Sequence, residues 1–251
     1  MNLTYALFTD RGDRAVNEDS IGVCSKENEH CFVLCDGLGG HGMGDAASSL
    51  VAEVFKNQFK KSGNSSDFLA SDWKNVVSGE SIALGGSRMA KQIELKARHK
   101  MKTTAVSLVT DEKNAYIGHV GDSRVYIFGK NKVYKRTLDH SIPQMLVLSK
   151  DIKESEIRNH PDRNIVLRVM GIEWDEPMFD LMKPVPLKKC RAFLLCSDGF
   201  WELIEEKDMC ALLKTSATVE DWLSSMVQVV KESGKDRNMD NFSAIAVWCD
   251  K

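Results

Sequence analysis

CFVLCDG (Cys31–Gly37) is an unbroken apolar run closed by an Asp-Gly pair, and AFLLCSDG (Ala192–Gly199) repeats it far along the chain. A run of this length, rich in Phe, Val and Leu and stopped by glycine, predicts a buried strand. The glycine frees the backbone for a sharp turn, so each run delivers a carboxylate at the end of a buried strand. Acids brought together from remote segments in this way, here Asp36 and Asp198, are how a fold assembles an oxygen-ligand metal site. A lone Asp-Gly is an ordinary turn; the repeated apolar lead-in sets this pair apart.

Working outward, Tyr5–Thr9 and Ser20–Cys24 read as short strands before the first run. A glycine-rich turn, Gly37–Gly44, leads into a helix from about Asp45 to Lys61, whose Leu50, Val51, Val54, Phe55 and Phe59 share one face. Ser62–Glu80 is polar and aperiodic, and Ile82, Met89, Ile93 and Ala97 mark a second helix weakened by Gly85-Gly86. From Thr103 the period becomes two: Thr103–Thr110, Ala115–Val120, Arg124–Phe128 and Lys132–Thr137 predict an antiparallel meander, with a turn at Gly129-Lys130-Asn131. Ser141–Asp175 is mixed, with a short helix ending before Pro161. Strands return at Pro177–Leu181 and Arg191–Cys196. Two helices follow. The second carries Val219, Trp222, Leu223, Met226, Val227 and Val230 as one stripe, opened by Thr218 with Asp221 at capping-box spacing. Phe242–Trp248 closes the chain as a strand. Strands and helices do not alternate regularly, which speaks against a doubly wound parallel sheet and fits better an α+β fold of two antiparallel sheets covered by helix pairs. No linker divides the 251 residues, so one domain is expected.

Hydrophobic residues make up 43% of the chain and charged residues 28%, the balance of an ordinary soluble globular protein. A net charge of −2 with interleaved signs argues against a nucleic-acid partner. The seven cysteines lack a C-x-x-C and sit mostly in apolar runs, so a disulfide framework or thiolate zinc site is not expected. No signal-peptide pattern and no apolar run near the ~20 residues of a membrane span are visible. A reducing cytoplasm, no membrane association and a monomer are the expectations.

Carboxylates recur beside strand ends: Glu18-Asp19, Asp36, Asp122 in GHVGDSR, Asp198 and Asp240. Clustered carboxylates repel strongly at low dielectric and are tolerated when divalent cations neutralise them. Oxygen-only donors favour Mg2+ or Mn2+ over zinc. A pair of such ions lowers the pKa of a water and clamps the oxygens of an in-line displacement at phosphorus. Arg14, four residues before Glu18, suits a phosphate oxygen pair.

RAVNEDS (Arg14–Ser20), LCDGLGGHGMGDAAS (Leu34–Ser48), KTTAV (Lys102–Val106), GHVGDSRVY (Gly118–Tyr126), LDHS (Leu138–Ser141), HPDRNIVLRVMG (His160–Gly171), CSDGFWE (Cys196–Glu202) and DNFSAIAV (Asp240–Val247) occur in the order of the metal-dependent protein phosphatases. The chain resembles this PPM, or type 2C serine/threonine, family in its compact bacterial form, from about residue 5 to residue 249. The resemblance implies a four-layer α-β-β-α sandwich and a mobile flap at about 141–175. It implies hydrolysis of phosphoserine and phosphothreonine in proteins by in-line attack of a hydroxide bridging two Mn2+ or Mg2+ ions. By position, Asp36 would bridge both ions and the Gly37 carbonyl would be a further ligand. Asp198 and Asp240 would hold the first ion, and Glu18 the second, directly or through water. Asp19 would lie in the outer shell, Asp122 with Asp198 would form the third metal site of many bacterial members, and Arg14 would bind the substrate phosphate. Phosphoproteins, with an opposing serine/threonine kinase, are the implied partners.

Several positions depart from the family pattern. Leu38 stands where many members carry a proton-donating His, Lys102 replaces a Gly, Glu202 stands for an Asp, glycines are missing before Asp240, and Lys150 takes a place often held by Gly. None removes a main ligand. Two other readings compete. Gly37, Gly39 and Gly42 satisfy the G-x-G-x-x-G of a dinucleotide-binding oxidoreductase, but no second strand ending in an acid follows the helix. A phosphatase-like regulatory module without turnover would show lost metal ligands. His41 is expected to fix the glycine turn, His119 to be structural, and His140 to anchor the base of the flap.

Overall fold

The computed structural model describes residues 2–39, 42–63, 65, 68, 101–130, 132–172 and 179–250. In chain order its strands and helices are β1 (Asn2–Asp10), β2 (Asp19–Lys26), β3 (Glu29–Asp36), α1 (Gly44–Lys61), β4 (Ala105–Thr110), β5 (Asn114–Val120), β6 (Arg124–Phe128), β7 (Val133–Arg136), α2 (Ile142–Ser149), β8 (Asp180–Leu181), β9 (Val185–Pro186), β10 (Ala192–Cys196), α3 (Asp198–Trp201), α4 (Glu206–Thr215), α5 (Val219–Gly234) and β11 (Phe242–Asp250).

Two antiparallel sheets result, β1-β11-β10-β6-β7 and β2-β3-β4-β5-β8, with β9 also paired to β5. The period of two along each central strand divides its side chains between two apolar layers. Phe32 and Leu34 of β3 meet Phe193 and Leu195 of β10 and Ile245 and Val247 of β11 in the layer between the sheets. Cys31, Val33 and Cys35 turn outward onto Val51, Phe55 and Phe59 of α1. Ala192, Leu194 and Cys196 turn the other way, onto the layer of Trp222, Met226 and Val230 from α5. Burial on both faces is why these strands read as continuous apolar runs rather than alternating ones. Helix, sheet, sheet and helix therefore stack in that order.

The α5 stripe expected from the sequence is buried, with Trp222 fully enclosed and Thr218 Oγ1 accepting the Asp221 N–H as N-cap. The expected meander is corrected. β4 pairs β5 and β6 pairs β7, but β5 and β6 lie in different sheets. Gly121 (φ +100°) and Asp122 carry the chain across the sandwich edge, because the outer faces of β5 and β6 each have their own helix layer to meet. A third, short helix, α3, also precedes the two expected after β10, and the strand expected at Pro177–Leu181 is described only as Asp180–Leu181. The helix expected around Ile82, Met89, Ile93 and Ala97 lies outside the described residues, as do His41, Asn131 and Pro177.

In the flap region, α2 is followed by a 3-10 turn, Glu154–Asn159, and a bridge ties Ser141 to Val166. Lys150 ends α2 with φ +69°. That is the left-handed region, where a side chain costs about 1 kcal/mol that glycine avoids. Lys150→Gly is accordingly expected to raise stability by about 1 kcal/mol, read as a higher urea midpoint at unchanged slope.

Candidate active site

Asp36 ends β3 and Asp19 opens β2, and the two are register partners. The start of the next strand clamps the Asp36 backbone. Its N–H donates to Thr104 Oγ1 (3.0 Å), and its carbonyl accepts from Thr104 N–H (2.8 Å) and Thr103 Oγ1 (2.8 Å). Asp198 arrives from the opposite sheet, two residues beyond β10, close enough for its carboxyl and that of Asp36 to act on each other. The repeated phrase thus brings its acids into contact from opposite sheets. Two carboxyls this close disfavour each other's charged form. Burial, then the charges of Asp19, Asp198 and Asp122, hold the Asp36 carboxyl well above the ordinary carboxylate range. Burial and Asp240 raise Asp198 as well.

The surrounding acids feel the same field. Asp122, at the crossover between β5 and β6, is raised by burial and then by Asp198. Asp19 is pushed up to about 7 by burial, against hydrogen bonds from Ser243 and Ser197. Ser197 Oγ donates to Asp19 Oδ2 (2.8 Å), while Asp19 Oδ1 is buried with no hydrogen-bond partner among the described residues. Glu202 rises to about 7 through burial and Asp198, and it pairs with Arg163 of the flap (3.2 Å).

Glu18 is set by backbone contacts. Its N–H donates to Asn241 Oδ1 (2.8 Å), and Asn241 Nδ2 donates to the carbonyls of Arg11 and Val16. The glycine turn lets the Glu18 carboxylate approach, since a Cβ on Gly39 would collide with Glu18 Oε2. Burial, then Asp45, raises the Glu18 carboxyl. Asp240 stands at the rim, where Arg14 Nη2 meets its Oδ2 at 2.8 Å with both side chains about half exposed. Asp198 and Glu18 also act on Arg14 electrostatically. Gly37 bridges to Thr103, and its N–H donates to the Glu18 carbonyl (3.0 Å).

Glu18, Asp36, Asp122, Asp198, Asp240 and Arg14 are therefore brought to one end of the sandwich, with Asp19 among them. Thr103, Thr104, Asn241 and Ser197 were not legible as site residues. They lie within the quoted motifs, but nothing in those motifs gave their hydroxyl and amide groups a role. The Lys102 departure is absorbed through its backbone, whose carbonyl accepts the Leu38 N–H (2.9 Å). A separate group lies nearby: ligand-capable atoms of His119, His140 and Asp180 fall within 4.8 Å of one another.

A nest of carboxylates, Asp19 and Asp122 buried and Glu18, Asp36, Asp198 and Asp240 half-buried, thus lies at this end of the sandwich with half-exposed Arg14 at its rim. The family model described as Protein phosphatase 2C matches residues 10–242. The serine/threonine phosphatase stp of Listeria welshimeri is 29% identical over 238 residues, covering 92% of this chain and 91% of that protein. The crystal structure of serine/threonine phosphatase Stp1 from Staphylococcus aureus superposes with a TM-score of 0.85 at 30% identity, covering 100% of this chain and 96% of that one. That of the Mycobacterium tuberculosis serine/threonine phosphatase PstP/Ppp gives 0.77 at 26%, covering 99% of each. The chain belongs to the protein phosphatase 2C family, and by enzyme class it is a protein-serine/threonine phosphatase.

Proposed function

We propose that this enzyme removes phosphate from phosphoserine and phosphothreonine side chains of proteins in a metal-dependent reaction. The carrying observation is the convergence of half-buried Asp36 and Asp198 from opposite sheets, with Asp19, Asp122 and Asp240 acting on them. The donor set fits Mn2+ or Mg2+: it is all oxygen, it is collectively too negative to stay ionised alone, and Asp19 Oδ1 is an orphaned buried acceptor beside it. Asp36 would hold two ions, with the Gly37 carbonyl beside it, Asp198 and Asp240 the first, Glu18 the second, and Asp122 with Asp198 a third. Such ions supply an activated water and charge neutralisation at phosphorus.

The chain's own residues do the rest. Asp36 and Asp198 would hold the ions as carboxylates. Arg14 binds the phosphate oxygens at the rim, where its exposure leaves it reachable by a protein-borne phosphate. The water oxygen–phosphorus bond forms as the phosphorus–seryl or –threonyl oxygen bond breaks. Leu38 offers no proton, so the leaving oxygen takes its proton from solvent. No cysteine takes part, and burial holds Cys31, Cys35 and Cys196 as thiols. The substrates are phosphorylated proteins, with a serine/threonine kinase as their source, and the enzyme acts as a cytoplasmic monomer. Among the described residues no helix is long and apolar enough to cross a membrane.

The test is phosphate release from a phosphothreonine peptide with Mn2+ and with EDTA, beside a phosphotyrosine peptide. Release that needs Mn2+ and favours phosphothreonine supports the reading; release undiminished in EDTA overturns it. Arg14→Ala is expected to raise KM about tenfold with a smaller change in kcat, the loss of one charge-assisted contact at an exposed rim. An unchanged KM would remove Arg14 from phosphate binding.

A further inference from the structure

We propose that His140 is a positioning residue that latches the base of the flap to the Asp122 turn, an inference that rests on the metal-holding role given to Asp122. His140 grips Gly121 from both sides: its backbone N–H donates to the Gly121 carbonyl (2.9 Å), and its Nδ1 accepts the Gly121 N–H (3.1 Å). Gly121 sits at φ +100°, and a Cβ there would lie 2.6 Å from Thr104 Cβ, so this turn has little room to shift. The residue after Gly121 is Asp122. Ser123 follows, and its hydroxyl bonds Thr104 Oγ1 (2.7 Å), the atom that accepts the Asp36 N–H. On the other side, the His140 carbonyl accepts the Leu167 N–H (2.7 Å), closing the flap onto the same residue. The His140 backbone thus ties the flap to Gly121, its imidazole adds a bond to the Gly121 N–H, and the chain from Gly121 through Asp122 to Ser123 carries on by hydrogen bond to Thr104 and Asp36.

The proton inventory fixes the tautomer. Because Nδ1 accepts from a backbone N–H, the ring proton is on Nε2, and it is donated to Asp180 Oδ2 (3.1 Å). Asp180 therefore orients the latch. The ligand-capable atoms of His119, His140 and Asp180 lie within 4.8 Å of one another, and His119 Nδ1 has no hydrogen-bond partner among the described residues, which would suit a metal ion. Two features oppose that reading. The His119 and His140 rings stack at 4.7 Å with planes 17° apart, so their in-plane lone pairs do not converge on one ion. A metal on His140 Nε2 would also drive the proton to Nδ1, against the Gly121 N–H.

The test compares four variants of the latch by the Mn2+ concentration giving half-maximal cleavage of a phosphothreonine peptide and by hydrogen exchange of the Gly121 amide in metal-free protein, with Zn2+ binding to the parent and His119→Ala as a control. His140→Ala and His140→Gln lose the acceptor for Gly121. They are expected to need about tenfold more Mn2+ and to lose Gly121 protection. His140→Asn keeps an oxygen near the Nδ1 position and is expected to stay within about threefold of the parent with protection retained. Asp180→Ala, at an exposed side chain, is expected to fall between. Asn behaving like Ala, or Gly121 staying protected in the Ala and Gln variants, overturns the latch. So does one equivalent of Zn2+ bound by the parent and lost in His119→Ala. If the parent shows no Mn2+ response, the metal reading fails, and the exchange data still decide the latch.

Discussion

Asp198→Asn is expected to lower phosphate release by about 10³-fold while leaving the metal-free protein at least as stable as the parent. The loss follows from removing an anionic oxygen donor where charge must be held at the reacting centre, a position whose electrostatic groups are commonly worth that much. The retained stability follows from the opposite balance in the ground state. Asp198 is half-buried beside Asp36 and Asp240, and its carboxyl is raised by desolvation and by Asp240. An amide in its place removes that repulsion and still offers an acceptor to the Gly199 N–H, now bonded to Asp198 Oδ1 at 2.6 Å. Initial rates in Mn2+ together with thermal melts in EDTA check both halves. Near-parent activity would reject the role, and a collapsed melting transition would show that the residue holds the fold instead.

Chelation is expected to make stability fall with rising pH. Asp36 and Asp122 are held well above the ordinary carboxylate range, and Asp19 and Glu202 at about 7, with burial the leading cause in each. A carboxyl whose folded pKa exceeds its unfolded value binds more protons when folded. Its stabilising contribution is complete below about pH 4, the unfolded value. It is lost as pH rises through about 7. The metal-free protein should therefore melt on the order of 5 °C lower at pH 8 than at pH 5.5. Saturating Mn2+ should abolish or reverse the difference, since a ligand of the folded state alone stabilises it by mass action. An Asp36→Asn, Asp198→Asn double variant isolates the effect and should show a flatter metal-free profile. Identical profiles for parent and double variant would show that the cluster does not control the titration.

Much of this was legible in residue order. Cys31–Asp36 and Ala192–Cys196 announced themselves because strands covered on both faces must be apolar at every position. The Trp222 stripe was legible because a helix on a sheet buries one face at a period of 3.6. The crossover at Gly121–Asp122 was not legible, because a short polar turn between two apolar runs looks the same whether the second strand pairs with the first or passes to the other sheet. Asn241 was also hidden: its amide serves Glu18, Arg11 and Val16, and an Asp-Asn pair before a strand reads as a turn.

The order of residues by itself determined which segments become buried strands and where each acid sits relative to a strand end, since periodicity and glycine placement act locally. Only the tertiary structure decided that acids from opposite sheets meet. Asp36 and Asp198 lie more than a hundred residues apart, and their mutual influence, the rise of Asp19 and the grip of His140 on Gly121 depend on how two sheets are stacked. Burial and proximity are properties of that stacking, and they are what turn separate carboxylates into one coupled centre.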